Sequence, residues 1–561
     1  MAAADIAMLR DRARTLLDAG DIAGARSVYA GALRRYPHDP GLLNSAGNFH
    51  AGQGDLDEAL TLFERAILNA PDDAELIMNR CVVLSRMARA SEALPSLLRL
   101  ERRMAHIARY WSVRASLEKT LDDKNAAAAS YDRCLALHPT HLQARHGRAR
   151  LALERGELDA VARFEAALAG QQGDAQLWLG YAQALDCAGQ SSRALEIGRA
   201  LARQAPGWTD LLQFLAELRW ALGDRDNFCA DFAESARLRP DDCGLIKAWC
   251  AALAGVDRHA EAADIAGDAV RRFSGDETWR LAEAVYAGAS GDDDRAERLF
   301  TDLPLKGPER AVQEARHRLR RMEAESAERL LNDAIGQNPT EVAAWALRDI
   351  AWRLLGDSRS EWLHRQEGLV QFVNTGIAPN ALAEIVSLMH RLHDTGSMPL
   401  GQSIRSGTQT QGGLFDRLEP EVRLVHAHIV EMIERYRSAL PPVDPEHPLL
   451  RHRDHQWRIK GSWSIRARAG GHHSAHIHPH GLLSSAFYLI LPPTAGGSDA
   501  LGGALELGRP PPDLRLDLPP IAVIEPVAGH CALFPSTLYH GTRPFSAGQR
   551  MTIAFDVTLA A

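Results

Sequence analysis

Apolar residues recur at helical spacing through the first two thirds of the chain and at a period of two near its end. Before about residue 370 they fall three and four apart, the pattern of short amphipathic helices. A longer period of 34 residues is superimposed: Gly20-Asp21, Ala25, Tyr29, Ala32 and Pro37 recur as Gly54-Asp55, Ala59, Phe63, Ala66 and Pro71. Weaker copies follow at Ala93 and Leu97, at Ala127, Tyr131 and Pro139, and, after a slip, at Gly156 and Phe164. Later units are centred on Gly189, Gly223, Ala262, Gly291 and Ala327, and a partial one holds Gly356-Asp357. Each unit predicts a helix pair. Small residues let the two helices approach, the aromatic fills the space between units, and the Gly-Asp turn uses a positive φ that is cheap for glycine. One pair cannot bury its apolar face alone, so the units must stack.

The period is lost past Phe372. Leu382 to Leu392 still predicts a helix. A polar, Gly-rich run starts at Met398 and is densest over 401–413; it predicts a loop, either a linker or a cover over a site. Val422, Val425, Ile429, Ile433 and Tyr436 predict an amphipathic helix from Glu419 to Leu440. From residue 455 the period becomes two, first at Trp457, Ile459, Trp463 and Ile465. Further short strands are expected over 485–491, 503–507, 522–527, 531–534 and 551–558, between Pro- and Gly-rich turns, which together predict an all-β sandwich or barrel. The expected division is a helical solenoid over 1–370 with about ten repeats, a helical connector with the polar loop over 371–445, and a β domain over 446–561.

Composition narrows the function classes. A length of 561 residues exceeds one core. The net charge of -8 argues against a general nucleic-acid binder, and no apolar run reaches the ~18 residues of a membrane span. Met1 to Ala19 lacks the uninterrupted apolar stretch of a secretory signal. Seven scattered cysteines without a C-x-x-C pair predict reduced, packed thiols in a cytoplasmic protein.

The candidate chemistry is concentrated near the C-terminus. Five histidines fall within the nine residues from His472 to His480. His476 and His478 are two apart, so on an extended segment both face one side and can reach one ion. Pro479 breaks the segment and sets His480 apart, while His472 and His473 are expected to face solvent or to support the ligands. His540 follows on a later strand and can approach from the opposite wall. A histidine pair at period two with a third across a barrel predicts a metal site. On the last strand Arg550, Thr552 and Ala554 share one face and Met551, Ile553, Phe555 and Val557 the other. Arg550 and Thr552 can therefore present a guanidinium fork and a hydroxyl to one carboxylate.

The repeats resemble the tetratricopeptide repeat, whose period is 34. The C-terminal region resembles the 2-oxoglutarate/Fe(II)-dependent oxygenases, in the branch with a His-x-His-Pro motif. The matching residues are His476-Ile477-His478-Pro479, Ser484-Ser485-Ala486-Phe487-Tyr488, Phe534-Pro535-Ser536 and His540-Gly541. The loop from Gly401 to Phe415 is similar to versions fused to repeats. The resemblance implies a double-stranded β-helix (jelly roll), Fe(II) held by His476, His478 and His540, and 2-oxoglutarate held by Arg550 with Thr552 and Tyr488. It also implies O2 as oxidant and a protein or peptide substrate captured by the repeat superhelix; charge and the lack of an apolar span lead to the expectation of no nucleic-acid or membrane partner. One residue departs from the family pattern: His478 stands where a carboxylate is usual, and Glu506 and Asp556 are the nearest carboxylates, neither expected as a ligand. Two other readings stay open. One is a cupin-like three-histidine iron dioxygenase that needs no Arg550 clamp; the other is a non-enzymatic repeat scaffold with a degenerate metal module.

Overall fold

The fold is described from a computed structural model, over residues 2–171, 173–394, 396, 400–493 and 501–560. Met398 and Pro399, at the head of the polar run, lie outside the described residues. Helices follow one another from Ala2–Asp18 to Arg359–His364. The small and aromatic positions of the repeat pack as their spacing requires: Ala25, Ala59, Ala66 and Ala127 are inaccessible, and Tyr29, Phe63 and Tyr131 are buried.

The turn inside each helix pair carries a left-handed residue. Among the described residues these are Gly20, Gly54, Ala88, Asp122, Gly156, Gly189, Gly223, Asp257, Gly291, Met322 and Gly356. The N–H that follows closes onto the carbonyl five residues back, as from Asp21 to Leu16 (2.8 Å), Arg89 to Leu84 (2.8 Å) and Glu323 to Arg318 (2.9 Å). This closure satisfies the last carbonyls of the first helix. It persists at Ala88, Asp122, Asp257 and Met322, where the repeat has lost its glycine, so helix packing imposes the turn even on residues that disfavour it.

The chain forms two compact units, Met1–Leu153 with Leu158–Leu177, and Glu154–Glu157 with Trp178–Ala561. The expected break near residue 370 is therefore not where the compact units part, and the later repeats belong with the C-terminal sheets. Named contacts explain this. Arg316 and Arg320 both bind Asp513, Arg353 donates to the carbonyls of Gly508 and Pro519, and Arg515 pairs with Asp293. Leu514 and Tyr539 join the apolar core of the last repeats with Leu331, Trp345 and Trp352.

Among the described residues nine strands form two antiparallel sheets. They are β1 (Gln371–Asn374), β2 (Ile404–Gln409), β3 (Trp457–His473), β4 (Leu483–Ile490), β5 (Leu505–Leu507), β6 (Ala522–Ile524), β7 (His530–Pro535), β8 (His540–Thr542) and β9 (Gln549–Leu559). The larger sheet has the order β1-β7-β4-β9-β3-β2 and the smaller β6-β5-β8. Helices Pro379–Asp394 and Pro420–Ala439 cover one face of the larger sheet, where Val422, Ile429 and Tyr436 meet Phe487, Leu533, Ile553 and Phe555. On its other face Tyr488, Ala532 and Phe534 pack with Leu505 and Leu507 of the smaller sheet.

Two expectations are corrected here. Residues 371–445 supply β1 and β2 to the larger sheet and so are not a separate connector. The run 401–413 is in part the edge strand β2, with Ile404 buried and Gly407 against the β3 backbone, where a Cβ would lie 2.8 Å from Arg466 O. An edge strand pairs on one side only and tolerates polar residues, so its composition hid it.

Candidate metal and anion site

Backbone pairing brings the three predicted histidines together. His476 and His540 exchange both backbone hydrogen bonds, each at 3.0 Å, so the segment after β3 is tied to the start of β8. His478 follows two residues later on the same side. Ligand atoms of His476, His478 and His540 all lie within 4.8 Å of one another, and among the described residues this is the one such group of metal-ligating side chains. His480 is exposed and stands apart from them.

Each imidazole is oriented through its far nitrogen. Nδ1–H of His476 donates to Ser474 O (2.9 Å), that of His540 to Leu538 O (3.2 Å) and that of His478 to Asp556 Oδ2 (2.7 Å). A carbonyl oxygen only accepts, so the proton sits on Nδ1 and Nε2 keeps its lone pair. Burial, then the neighbouring His478, pulls His476 down to about 3; burial, then His476, holds His540 well below the ordinary histidine value. The Nε2 atoms of His476 and His478 are 3.2 Å apart. Two nitrogens each about 2.1 Å from one ion stand roughly 3.0–3.4 Å apart, so this donor set fits a first-row transition ion.

The residues expected to meet an anion are also where the strand period predicts. Arg550 and Thr552 are both buried, at 3% exposure, and both line a cavity of about 1440 Å³ that also holds the three histidines. Thr552 lies opposite Tyr488 across β4 and β9, and the Arg550 guanidinium sits over the Tyr488 ring at 5.2 Å. Nε of Arg550 donates to Gly503 O at 3.2 Å, and among the described residues no carboxylate pairs with this arginine. Burial pulls the Arg550 pKa down and pushes Tyr488 up to about 12, while the closeness of guanidinium and hydroxyl acts against burial in both. A buried cation that lacks a counter-ion and faces a cavity can take an anion from it.

Comparison with known proteins matches two stretches of the chain. Residues 461–556 match the family described as "Putative 2OG-Fe(II) oxygenase", and residues 10–74 match the tetratricopeptide repeat. The chain thus has a tetratricopeptide-repeat region near its N-terminus and a region of the 2OG-Fe(II) oxygenase type at residues 461–556. Similar solved structures include a tetratricopeptide repeat protein from Parabacteroides merdae ATCC 43184, 20% identical over 44% of this chain and 97% of its own, with a TM-score of 0.35. A thermophilic repeat protein from Thermus thermophilus is 26% identical over 32% of this chain and 98% of its own, with a TM-score of 0.29. No curated protein matches the chain.

One further residue, Ser403, reaches the histidines from outside residues 461–556 and meets His473, which the sequence left either to solvent or to a supporting place. His473 lines the cavity, and Ser403 lies between its Nδ1 (3.0 Å) and Nε2 of His476 (3.3 Å). Ser403 arrives with β2, whose pairing to β3 links residues about 70 apart, as Ile404 with His473. Nothing local in the sequence signals that contact. Asp556 was legible by parity, because β9 sends Arg550, Thr552, Ala554 and Asp556 alike into the cavity. Glu506 is engaged by Arg509 and Arg543 and stands outside the histidine group. The repeat helices form part of the cavity wall through Arg258, His259, Tyr286, Arg316 and Arg320. Among the described residues no helix is long and apolar enough to cross a membrane.

Proposed function

We propose that the chain is an Fe(II)- and 2-oxoglutarate-dependent oxygenase that hydroxylates a protein or peptide recruited by its repeats. The observation that carries this reading is one cavity holding three converging imidazoles and a buried arginine with which no carboxylate of the described residues pairs. The paired antiparallel sheets with the site on their facing side support a double-stranded β-helix. His476, His478 and His540 would hold Fe(II), which supplies the oxygen chemistry that couples decarboxylation of 2-oxoglutarate to hydroxylation. Arg550 would bind the distal carboxylate of 2-oxoglutarate, Thr552 would add a hydroxyl to the same group, and Tyr488 beneath the guanidinium would fix its plane. The Nδ1 acceptors keep the three Nε2 lone pairs directed at one point throughout. Repeat residues in the cavity wall support a substrate that lies along the helices while one side chain enters the site. Seven unpaired cysteines support a reducing, cytoplasmic setting.

The test is succinate formation by anaerobically Fe(II)-loaded protein on admission of O2, together with 2-oxoglutarate binding. Wild type is expected to bind 2-oxoglutarate and to form succinate only with iron. Arg550→Ala removes a charged hydrogen-bonding group of about 2–3 kcal/mol, so 2-oxoglutarate binding is expected to weaken roughly 30- to 150-fold. Iron-loaded protein that binds no 2-oxoglutarate, or an Arg550→Ala variant with undiminished iron-dependent activity, would favour the cupin-like reading instead.

A further inference from the structure

The site contains a carboxylate in a place the family pattern does not predict. His478 occupies the position where a carboxylate ligand is usual, which leaves three imidazoles and no anion around the ion. Asp556 stands directly behind that histidine. Its Oδ2 accepts from Nδ1 of His478 at 2.7 Å, and its Oδ1 is buried without a hydrogen-bond partner among the described residues. Its contact with the protein's hydrogen-bonding groups is therefore directed at one imidazole. The ring of His478 is fixed on its flat side too, since Trp463 stacks on it at 5.8 Å with an interplanar angle of 5°. Gly461, the partner of Asp556 across β3 and β9, has no side chain there, and a Cβ would press to 3.3 Å from the Trp463 ring. Strand β9 places Arg550 and Asp556 six residues apart, about 20 Å along the strand, so the cation and the carboxylate serve opposite ends of the cavity.

We infer that Asp556 is a positioning residue for the metal: it supplies through His478 the negative charge that the ligand set itself lacks. This rests on the three-histidine site proposed above. A carboxylate hydrogen-bonded to the far nitrogen of a ligand histidine fixes the tautomer and the ring, and makes the ligating nitrogen more basic. Asp556 thereby takes over part of the electrostatic role of the missing carboxylate without touching the ion.

The experiment is Co(II) binding to the full chain without 2-oxoglutarate, followed by chelator competition and by the visible absorption of the bound ion. Asp556→Ala is expected to weaken Co(II) binding about 10- to 100-fold and to shift the absorption bands. Asp556→Asn, whose amide oxygen still accepts from Nδ1 but carries no charge, is expected to lose less affinity and to shift the bands less. Thermal midpoints of the metal-free proteins establish that the variants are folded. A folded Asp556→Ala variant with wild-type affinity and spectrum overturns the inference. Should the alanine variant not fold, an Asp556→Asn variant indistinguishable from wild type in affinity and spectrum overturns the assigned role of charge. Wild type that takes up no Co(II) removes the metal site and this inference together. Because no cosubstrate is used, the role of Asp556 is tested even in a chain that binds Co(II) but fails to turn over 2-oxoglutarate.

Discussion

His540 is placed by its backbone as much as by its side chain, and the glycine after it is part of that placement. Gly541 has no room for a side chain: an added Cβ would lie 2.9 Å from His473 O and 3.1 Å from Ala475 N. Both neighbours are backbone of the segment that carries His476, so neither can rotate away. Gly541→Ala is expected to push that segment off β8, break the paired hydrogen bonds of His476 and His540, and cost about 1–3 kcal/mol, as overpacking does. Metal affinity should fall with it. A variant with unchanged thermal midpoint and Co(II) affinity would show that the segment yields freely. The residues of the site differ in how far the sequence revealed them. His476, His478, Arg550 and Thr552 lie on short extended segments where a period of two decides facing. Gly541, Ser403 and His473 depend on which strand lies against which, and that is set by pairings such as His476 with His540 and Ile404 with His473, far apart in the chain.

At the scale of elements, the repeat shows a local rule overridden by packing. Eleven turns use the same left-handed position among the described residues, yet four of them carry Ala88, Asp122, Asp257 or Met322. The left-handed conformation costs a residue with a Cβ roughly 1–2 kcal/mol, part of which glycine loses again through its freer unfolded chain. Met322, with φ of 61° and 64% exposed, makes little apolar contact in return. Met322→Gly is therefore expected to raise stability by about 1 kcal/mol, read as an upward shift of the thermal midpoint. A downward shift would mean that the Met322 side chain contributes more than its exposure suggests. The helices were legible because a period of 34 and an amphipathic face coincide in each unit. The edge strand β2 was not, because a strand paired on one side shows neither alternation nor an apolar run. Nor was the attachment of the later repeats to the sheets legible, since it depends on arginines whose partners lie some 150 to 220 residues away.

For the molecule as a whole, that attachment holds the later repeats and the sheets in one compact unit, and Asp513 is where two of its arginines converge. Arg316 binds it through Nε at 2.8 Å and Arg320 through Nη2 at 2.7 Å, with the Arg320 side chain 2% exposed. Burial alone would raise the Asp513 pKa, but the Arg316 and Arg320 guanidiniums outweigh it and hold the carboxyl at about 2. The sign of the pH dependence follows. A carboxyl whose pKa is lower folded than unfolded stabilises the fold above its unfolded value of about 3.9, and that contribution is lost as pH falls toward 2. Asp513→Asn leaves two guanidiniums facing each other without a counter-charge, which for a buried pair costs about 3–5 kcal/mol. At pH 7 the variant should therefore melt several degrees lower in the transition that carries the second unit. On acidification the wild type should lose roughly 2 kcal/mol as the pH falls from about 4 through 2, the linkage equivalent of a carboxyl held at about 2, so the gap between the two melting curves narrows there. Equal midpoints at pH 7 would show that the arginines find other partners and that Asp513 does not hold the repeats to the sheets. A gap between the curves that persisted unchanged at pH 2 would place the effect of the substitution in packing and not in charge.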